Sequence, residues 1–182
     1  MRRLDTGNRR LPILAFLVVV LLAGGVDTAV AAGEDEVLAR AFAAYDGGDY
    51  GKAVTLWRQL ADGGNAIAMT ALANLLVQGE GVARDPGRAA AWYRRAADLG
   101  DAVAQLNLGD MYFRGLGVAR DPVEAFFWLG LAARQGNAWA RQRQTETAVL
   151  LGPLQVETVK RRIATWEETS GDGPVGGTPK IR

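Results

Sequence analysis

Between residues 66 and 137 apolar residues recur at intervals of three and four, the spacing that lays a stripe along one side of an α-helix. Ala66, Ala68, Leu72 and Leu76 form one such stripe, and Ala89, Trp92, Tyr93, Ala96 and Ala97 form the next. The same order returns 36 residues later as Ala102, Ala104, Leu108 and Tyr112, then Ala125, Trp128, Leu129, Ala132 and Ala133. Fifteen of the 36 positions in Ala66 to Asp101 are identical in Ala102 to Asn137. A fixed period of this length is the mark of stacked supersecondary units rather than of one closed core. The small residues allow helices to approach closely. Trp92 and Trp128, which share one repeat position, are expected in the core.

Polar residues punctuate the stripes. Asp85 and Asp121 stand before Pro86 and Pro122, an N-cap followed by a residue whose fixed φ suits the first helical position. Gly64, Gly100 and Gly136 stand where the second helices must stop, in the place of a left-handed cap. Asn65, Asp101 and Asn137 then begin new helices. First helices are predicted over about 66–77 and 102–113, and second helices over about 86–99 and 122–135. The turns Gly79-Glu80-Gly81-Val82 and Gly115-Leu116-Gly117-Val118 call for positive φ at their glycines, with Val82 and Val118 as apolar plugs between helix pairs. A phosphate-binding loop is rejected for these turns, because no strand precedes them and no lysine follows.

The register extends in both directions. Asp49, Ala53, Ala61, Gly64 and Asn65 fall 36 residues before Asp85, Ala89, Ala97, Gly100 and Asp101. Residues 34–46 and 49–62 therefore pair as a hairpin, with Phe42, Tyr45 and Tyr50 around a short Gly47-Gly48 turn. After residue 137, residues 138–151 continue as a first helix. Residues 153–168 close the array, with Val156, Val159, Ile163 and Trp166 on one face. Modified end units of this kind cap apolar faces that would otherwise be open. Residues 169–182, with four glycines and two prolines, are expected to be a disordered tail.

The first 31 residues have a different character. Arg2, Arg3, Arg9 and Arg10 precede the apolar run Leu11 to Leu22, and Ala29-Val30-Ala31 follows, which is the order of an export signal. Twelve apolar residues fall short of the roughly 20 that a membrane span needs, and Pro12 with Gly24 and Gly25 weakens a continuous helix. The expected location is periplasmic or secreted, in a bacterium. The alternative is an uncleaved anchor in the inner membrane with the repeats facing the periplasm.

Composition then removes whole classes of chemistry. The 182-residue chain contains no cysteine and no histidine, so disulfides, thiolate or imidazole metal sites and Ser-His-Asp catalysis are absent from its repertoire. Without residues 1–31, 17 basic residues face 18 acidic ones. That balance, with Arg94-Arg95 and Lys160-Arg161-Arg162 as short clusters on solvated faces, argues against a nucleic-acid partner. No catalytic residue, metal site or cofactor is indicated.

The run A-x-A-x-x-x-L, then G-x-G-V-x-x-D, then A-x-x-W and A-A-x-x-G, resembles the Sel-one-like repeat (SLR) family, a branch of the tetratricopeptide-like helical repeats. Residues 66–101 and 102–137 carry it completely, although Ala73 and Leu76 stand where the second unit has the family-like Gly109 and Tyr112. The resemblance implies an all-α, right-handed α-solenoid of about four antiparallel helix hairpins: residues 32–65, 66–101, 102–137 and 138–168. It also implies a protein-interaction scaffold whose first helices line the concave side. First-helix positions left over after packing is assigned are Ile67, Thr70, Asn74, Val77 and Gln78, then Val103, Leu106, Asp110, Phe113 and Arg114. They mix apolar anchors with hydrogen-bonding groups, as a groove for a protein or peptide partner requires. The competing expectations are that several of these residues only pack against neighbouring units, that the chain serves the cell wall as an enzyme acting on peptidoglycan or β-lactams or as an enzyme accessory, or that it is a membrane-anchored assembly factor.

Overall fold

The computed structural model describes residues 33–170, and the expected export signal and all but the start of the expected tail lie outside that range. Residues 33–37 belong to an N-terminal unit, and Leu38 opens the unit that carries the repeats. The described residues form helices joined by turns. A helix over residues 33–46 (α1) precedes α2 (Tyr50–Asp62), α3 (Ala66–Gln78), α4 (Pro86–Asp98), α5 (Ala102–Arg114), α6 (Pro122–Arg134), α7 (Ala138–Ala148) and α8 (Pro153–Thr169). From α2 to α7 each helix packs on the next, and α8 returns to pack on α6. The result is a solenoid of consecutive helix hairpins. Thr169, taken above as the start of the tail, is the last residue of α8.

The boundaries follow from the caps. The carboxylates of Asp49, Asp85 and Asp121 accept from the backbone N–H of Lys52, Arg88 and Glu124 at 3.1, 2.9 and 3.1 Å. Asn65, Asp101 and Asn137 do the same for Ala68, Ala104 and Ala140 at 2.9, 2.6 and 3.0 Å. Each bond satisfies one of the amides a helix start leaves open. Replacing Asp85 or Asp121 by Ala is expected to cost about 1 kcal/mol each, readable as a shift in the urea midpoint.

Gly79, Gly81, Gly115 and Gly117 all have positive φ, between 66° and 81°. Gly79 and Gly115 end α3 and α5 in the left-handed conformation. Gly81 and Gly117 have a second duty. A Cβ on Gly81 would lie 2.4 Å from the carbonyl carbon of Tyr50, and one on Gly117 would lie 2.2 Å from the carbonyl oxygen of Pro86. Each turn thus presses against the start of the preceding second helix, which locks one unit to the next. Val82 and Val118 beside them are half-buried.

Alanines at 68, 89, 96, 97, 104, 125 and 132 are completely buried, which lets the helices close on one another. Leu72, Leu75, Leu76, Leu108, Phe127, Trp128 and Leu129 fill the space between them. One expectation needs correction. Trp128 is 1% exposed, but Trp92 is only half-buried. The Arg94 guanidinium from α4 lies 4.7 Å from the Trp128 ring, and Phe127 meets its edge at 4.9 Å. What lies over Trp92 is Arg95 of its own helix, at 4.4 Å. The repeat fixes where the indole starts, while the neighbouring unit decides how far it is covered.

At the end of the array, Val159 and Ile163 of α8 are buried and Val156 and Trp166 are half-buried. Gly130 makes room for Ile163, since a Cβ there would lie 2.4 Å from Ile163 Cδ1.

Candidate functional site: the face of the first helices

Helices α3, α5 and α7 occupy the first-helix place of successive units, and each starts 36 residues after the last. Of the positions expected on their free face, Ile67 is 51% and Val103 49% exposed. Gln78 and Arg114 are exposed as well, and Asn74, Val77, Leu106, Asp110 and Phe113 are half-buried. Thr70 is different. It is 7% exposed, and its hydroxyl donates to Asp101 Oδ1 at 3.2 Å, so it ties α3 to the N-terminus of α5.

The half-buried members are held by specific partners. Tyr93 O–H donates to Asn74 Oδ1, and Asn107 Nδ2 approaches the same oxygen at 3.5 Å. Burial raises the Tyr93 pKa above its ordinary value, against a lowering by the Asn107 side chain, so the hydroxyl stays protonated and available as a donor. The Val77 and Phe113 carbonyls accept from Arg84 Nε at 3.0 Å and Arg120 Nε at 3.1 Å. These repeated arginines satisfy carbonyls that a helix C-terminus leaves open. Leu106 and Phe113 pack against the buried cluster of Ala125, Leu129 and Ala140.

Asp110 is the electrostatic centre. Arg114 from its own helix reaches Oδ2 at 3.2 Å, and Arg143 Nε from α7 reaches Oδ1 at 3.2 Å. Arg143 also meets Glu146 at 2.8 Å and lies 5.1 Å from the centre of the Phe113 ring. Between α5 and α7 the face sinks into a cleft of about 220 Å³. Leu106, Asn107 and Asp110 form one wall, and Trp139, Gln142, Arg143 and Glu146 form the other. Trp139 is 75% exposed.

The α7 wall is absent from the sequence reading, which took residues 138–151 as part of a cap and carried the groove no further than α5. The signal was available. Shifting Val103, Leu106 and Asp110 by one period gives Trp139, Gln142 and Glu146. Ile67, Val103 and Trp139 thereby become one row, an exposed apolar side chain per unit at the second position of each first helix.

A second cleft, of about 420 Å³, opens among the second helices α4, α6 and α8. Its arginines are already occupied. Arg162 pairs with Glu124 and stacks 3.8 Å from the Phe127 centroid, and Arg94 donates to Tyr112 Oη at 2.6 Å. Burial raises the pKa of Asp98 in this cleft, against a lowering by Arg94. Among the described residues no cluster of acidic side chains is arranged to hold a metal ion, and no helix is long and apolar enough to cross a membrane.

The Sel1 repeat family model matches three segments, residues 43–65, 66–101 and 102–137. Together they cover more than half of the chain. The chain belongs to the Sel1 repeat family. Sel1 repeat proteins are helical scaffolds that generally mediate protein–protein contact and are generally not enzymes. Among solved structures, the chain is similar to a protective antigen of uropathogenic Escherichia coli strains that displays an SLR fold, at 29% identity and a TM-score of 0.62. That match covers 72% of this chain and 31% of the other. A Sel1 repeat protein from Oxalobacter formigenes is also 29% identical, with a TM-score of 0.58 over 70% of this chain and 54% of its own. This Sel1 repeat chain thus spans 31% of the length of the first relative and 54% of that of the second. No curated protein matches it.

Proposed function

We propose that this Sel1 repeat protein is an exported scaffold that binds a segment of another protein along the face of α3, α5 and α7. The observation that carries the reading is the row Ile67, Val103 and Trp139. Exposed large apolar side chains spread over a surface need no explanation, but a row repeated in register beside a cleft is the form of a recognition surface. Trp139 supplies the aromatic anchor on which binding energy tends to concentrate. Asn74, Asn107 and Asp110 supply fixed polar groups that set the register of what is bound.

Trp139 is exposed enough for its replacement to leave the fold intact. Trp139→Ala combined with Asp110→Asn is expected to weaken capture of the partner from a periplasmic extract by at least about tenfold, with the helical circular dichroism unchanged. Capture equal to that of the parent chain would contradict the assignment of the face. Export has its own readout: the mature N-terminus is expected near Ala32, and a mass that retains residues 1–31 would instead favour an anchored protein.

A further inference from the structure

The last helix is joined to one helix and seated on another. In the full units a second helix packs on the first helix that precedes it, α4 on α3 and α6 on α5, whereas α8 follows α7 and packs on α6. Val159 and Ile163 are buried in that seat, with Ile163 in the space that Gly130 leaves open. Arg162 pairs with Glu124, and Glu167 with Arg134 at 3.1 Å. Each of these contacts runs from α8 to α6. The α8 of a second copy therefore fits the same seat with the same partners.

The segment between α7 and α8 has the character of a hinge. The run Ala148-Val149-Leu150-Leu151 contains no glycine or proline, and the repeat pattern carries the first helix on to residue 151. α7 nonetheless ends at Ala148. Val149 keeps helical backbone, with φ −65° and ψ −23°. The amides of Leu150 and Leu151 donate to the carbonyls of Thr147 and Ala148 at 3.0 and 3.1 Å, the tighter turn of a 3₁₀-helix. Gly152 and Pro153 then start α8. A short connection that bends residues able to continue a helix is the kind through which an element swaps between copies. Straightened, it prolongs α7 to Leu151 and lifts α8 from its own α6. The bend also exposes apolar side chains, for Val149 is 83%, Leu150 48% and Leu154 75% exposed. Two such bends brought together on a twofold axis cover them. A surface contact through these three residues of each copy falls short of the roughly 1,200 Å² of a stable interface, whereas exchange adds the whole seat of α8.

We infer that two copies of this chain exchange α8, each seating it on the α6 of the other, with Val149, Leu150 and Leu154 of both copies packed where the chains cross. This inference does not depend on the first-helix face as a binding surface. The chain has no cysteine, so introduced thiols report alone. One full chain carries Arg134→Cys on α6 and another carries Glu167→Cys on α8. The two are mixed at several concentrations and joined with a short bismaleimide. A covalent heterodimer is expected, with a yield that rises with concentration. That yield is expected to exceed by at least about tenfold the yield from Arg134→Cys with Glu157→Cys, because Glu157 is on the exposed side of α8 and does not meet α6 in the exchange. Val149→Ser combined with Leu154→Ser is expected to lower the yield at least about fivefold and, both side chains being largely exposed, to leave the melting temperature unchanged. Absence of the heterodimer, or an equal yield from the Glu157→Cys pair, would overturn the exchange. So would a dimer seen by light scattering in which a chain carrying both Arg134→Cys and Glu167→Cys links only to itself. A yield indifferent to Val149 and Leu154 would overturn the packed crossing.

Discussion

Gly117→Ala is expected to destabilise the array by about 3 kcal/mol or more. Two costs combine. A φ of 71° is left-handed backbone, which costs an L-residue about 1–2 kcal/mol. The new Cβ would also lie 2.2 Å from the Pro86 carbonyl oxygen and 2.8 Å from the Gly87 nitrogen. Both are backbone atoms at the start of α4, and neither moves without shifting the helix, an overpacking cost of about 1–3 kcal/mol. Gly100→Ala separates the terms, because its φ is 90° but nothing lies within 4 Å of the added carbon. It is expected to cost about 1–2 kcal/mol from strain alone. Melting followed by circular dichroism gives the comparison, with a fall on the order of 10 °C for Gly117→Ala. Equal falls for the two variants would remove the close approach between units from the account.

Trp128→Ala is expected to cost about 3–5 kcal/mol, the usual range for emptying the site of a buried aromatic. The indole is 1% exposed and its Nε1 donates to Glu124 at 3.1 Å. Glu124 is also the partner of Arg162 from α8. Removing the ring therefore opens a cavity between α4 and α6 and loosens the acceptor that holds α8. Trp92→Ala, at the matching position one unit earlier, is expected to cost less, about 1–2 kcal/mol, since that ring is only partly buried. Urea midpoints of the two variants decide the point. A Trp92→Ala variant as unstable as Trp128→Ala would mean that the repeat position, and not the neighbouring unit, sets the burial.

The contrast between the two tryptophans shows what the sequence can and cannot express. Caps and turns are local chemistry, and Asp85-Pro86, Gly100-Asp101 and the paired glycines of each turn can be read from a few adjacent residues. The boundaries of α3 to α6 drawn from them fall within a residue of those observed, whereas α7, with no such turn after it, ends at Ala148 rather than at the expected residue 151. Burial is not local. Whether Trp92 or Trp128 is covered depends on what the adjoining unit places over it, and Arg94 is no part of the unit that contains Trp128. Thr70 illustrates the same limit on the groove side, for its hydroxyl is spent on the cap of the next helix. Gly81 and Gly117 carry a second constraint from the preceding unit that their own turn does not reveal.

The exposed first-helix positions were legible where the two full units repeat, and those of α7 were lost where identity between units fades. From α5 to α7 the shared residues are few, and α7 lacks the glycine-rich turn that marks a complete unit. Its backbone register nonetheless continues, because Asn137 caps α7 as Asp101 caps α5. Position, rather than identity, brings Trp139 into line with Val103 and Ile67. Specificity in such an array resides in the residues that differ between units, since those that agree are occupied with caps, turns and close packing.

The most direct test of the binding surface is site-specific photo-crosslinking in the native cell. A benzophenone side chain would be placed at position 103 or 139 on the first-helix face, and at position 157 or 161 on the exposed side of α8. Adducts with a partner at 103 and 139, and none at 157 and 161, are the predicted result. Adducts confined to α8, or equal at all four positions, would contradict a partner bound along the row Ile67, Val103 and Trp139.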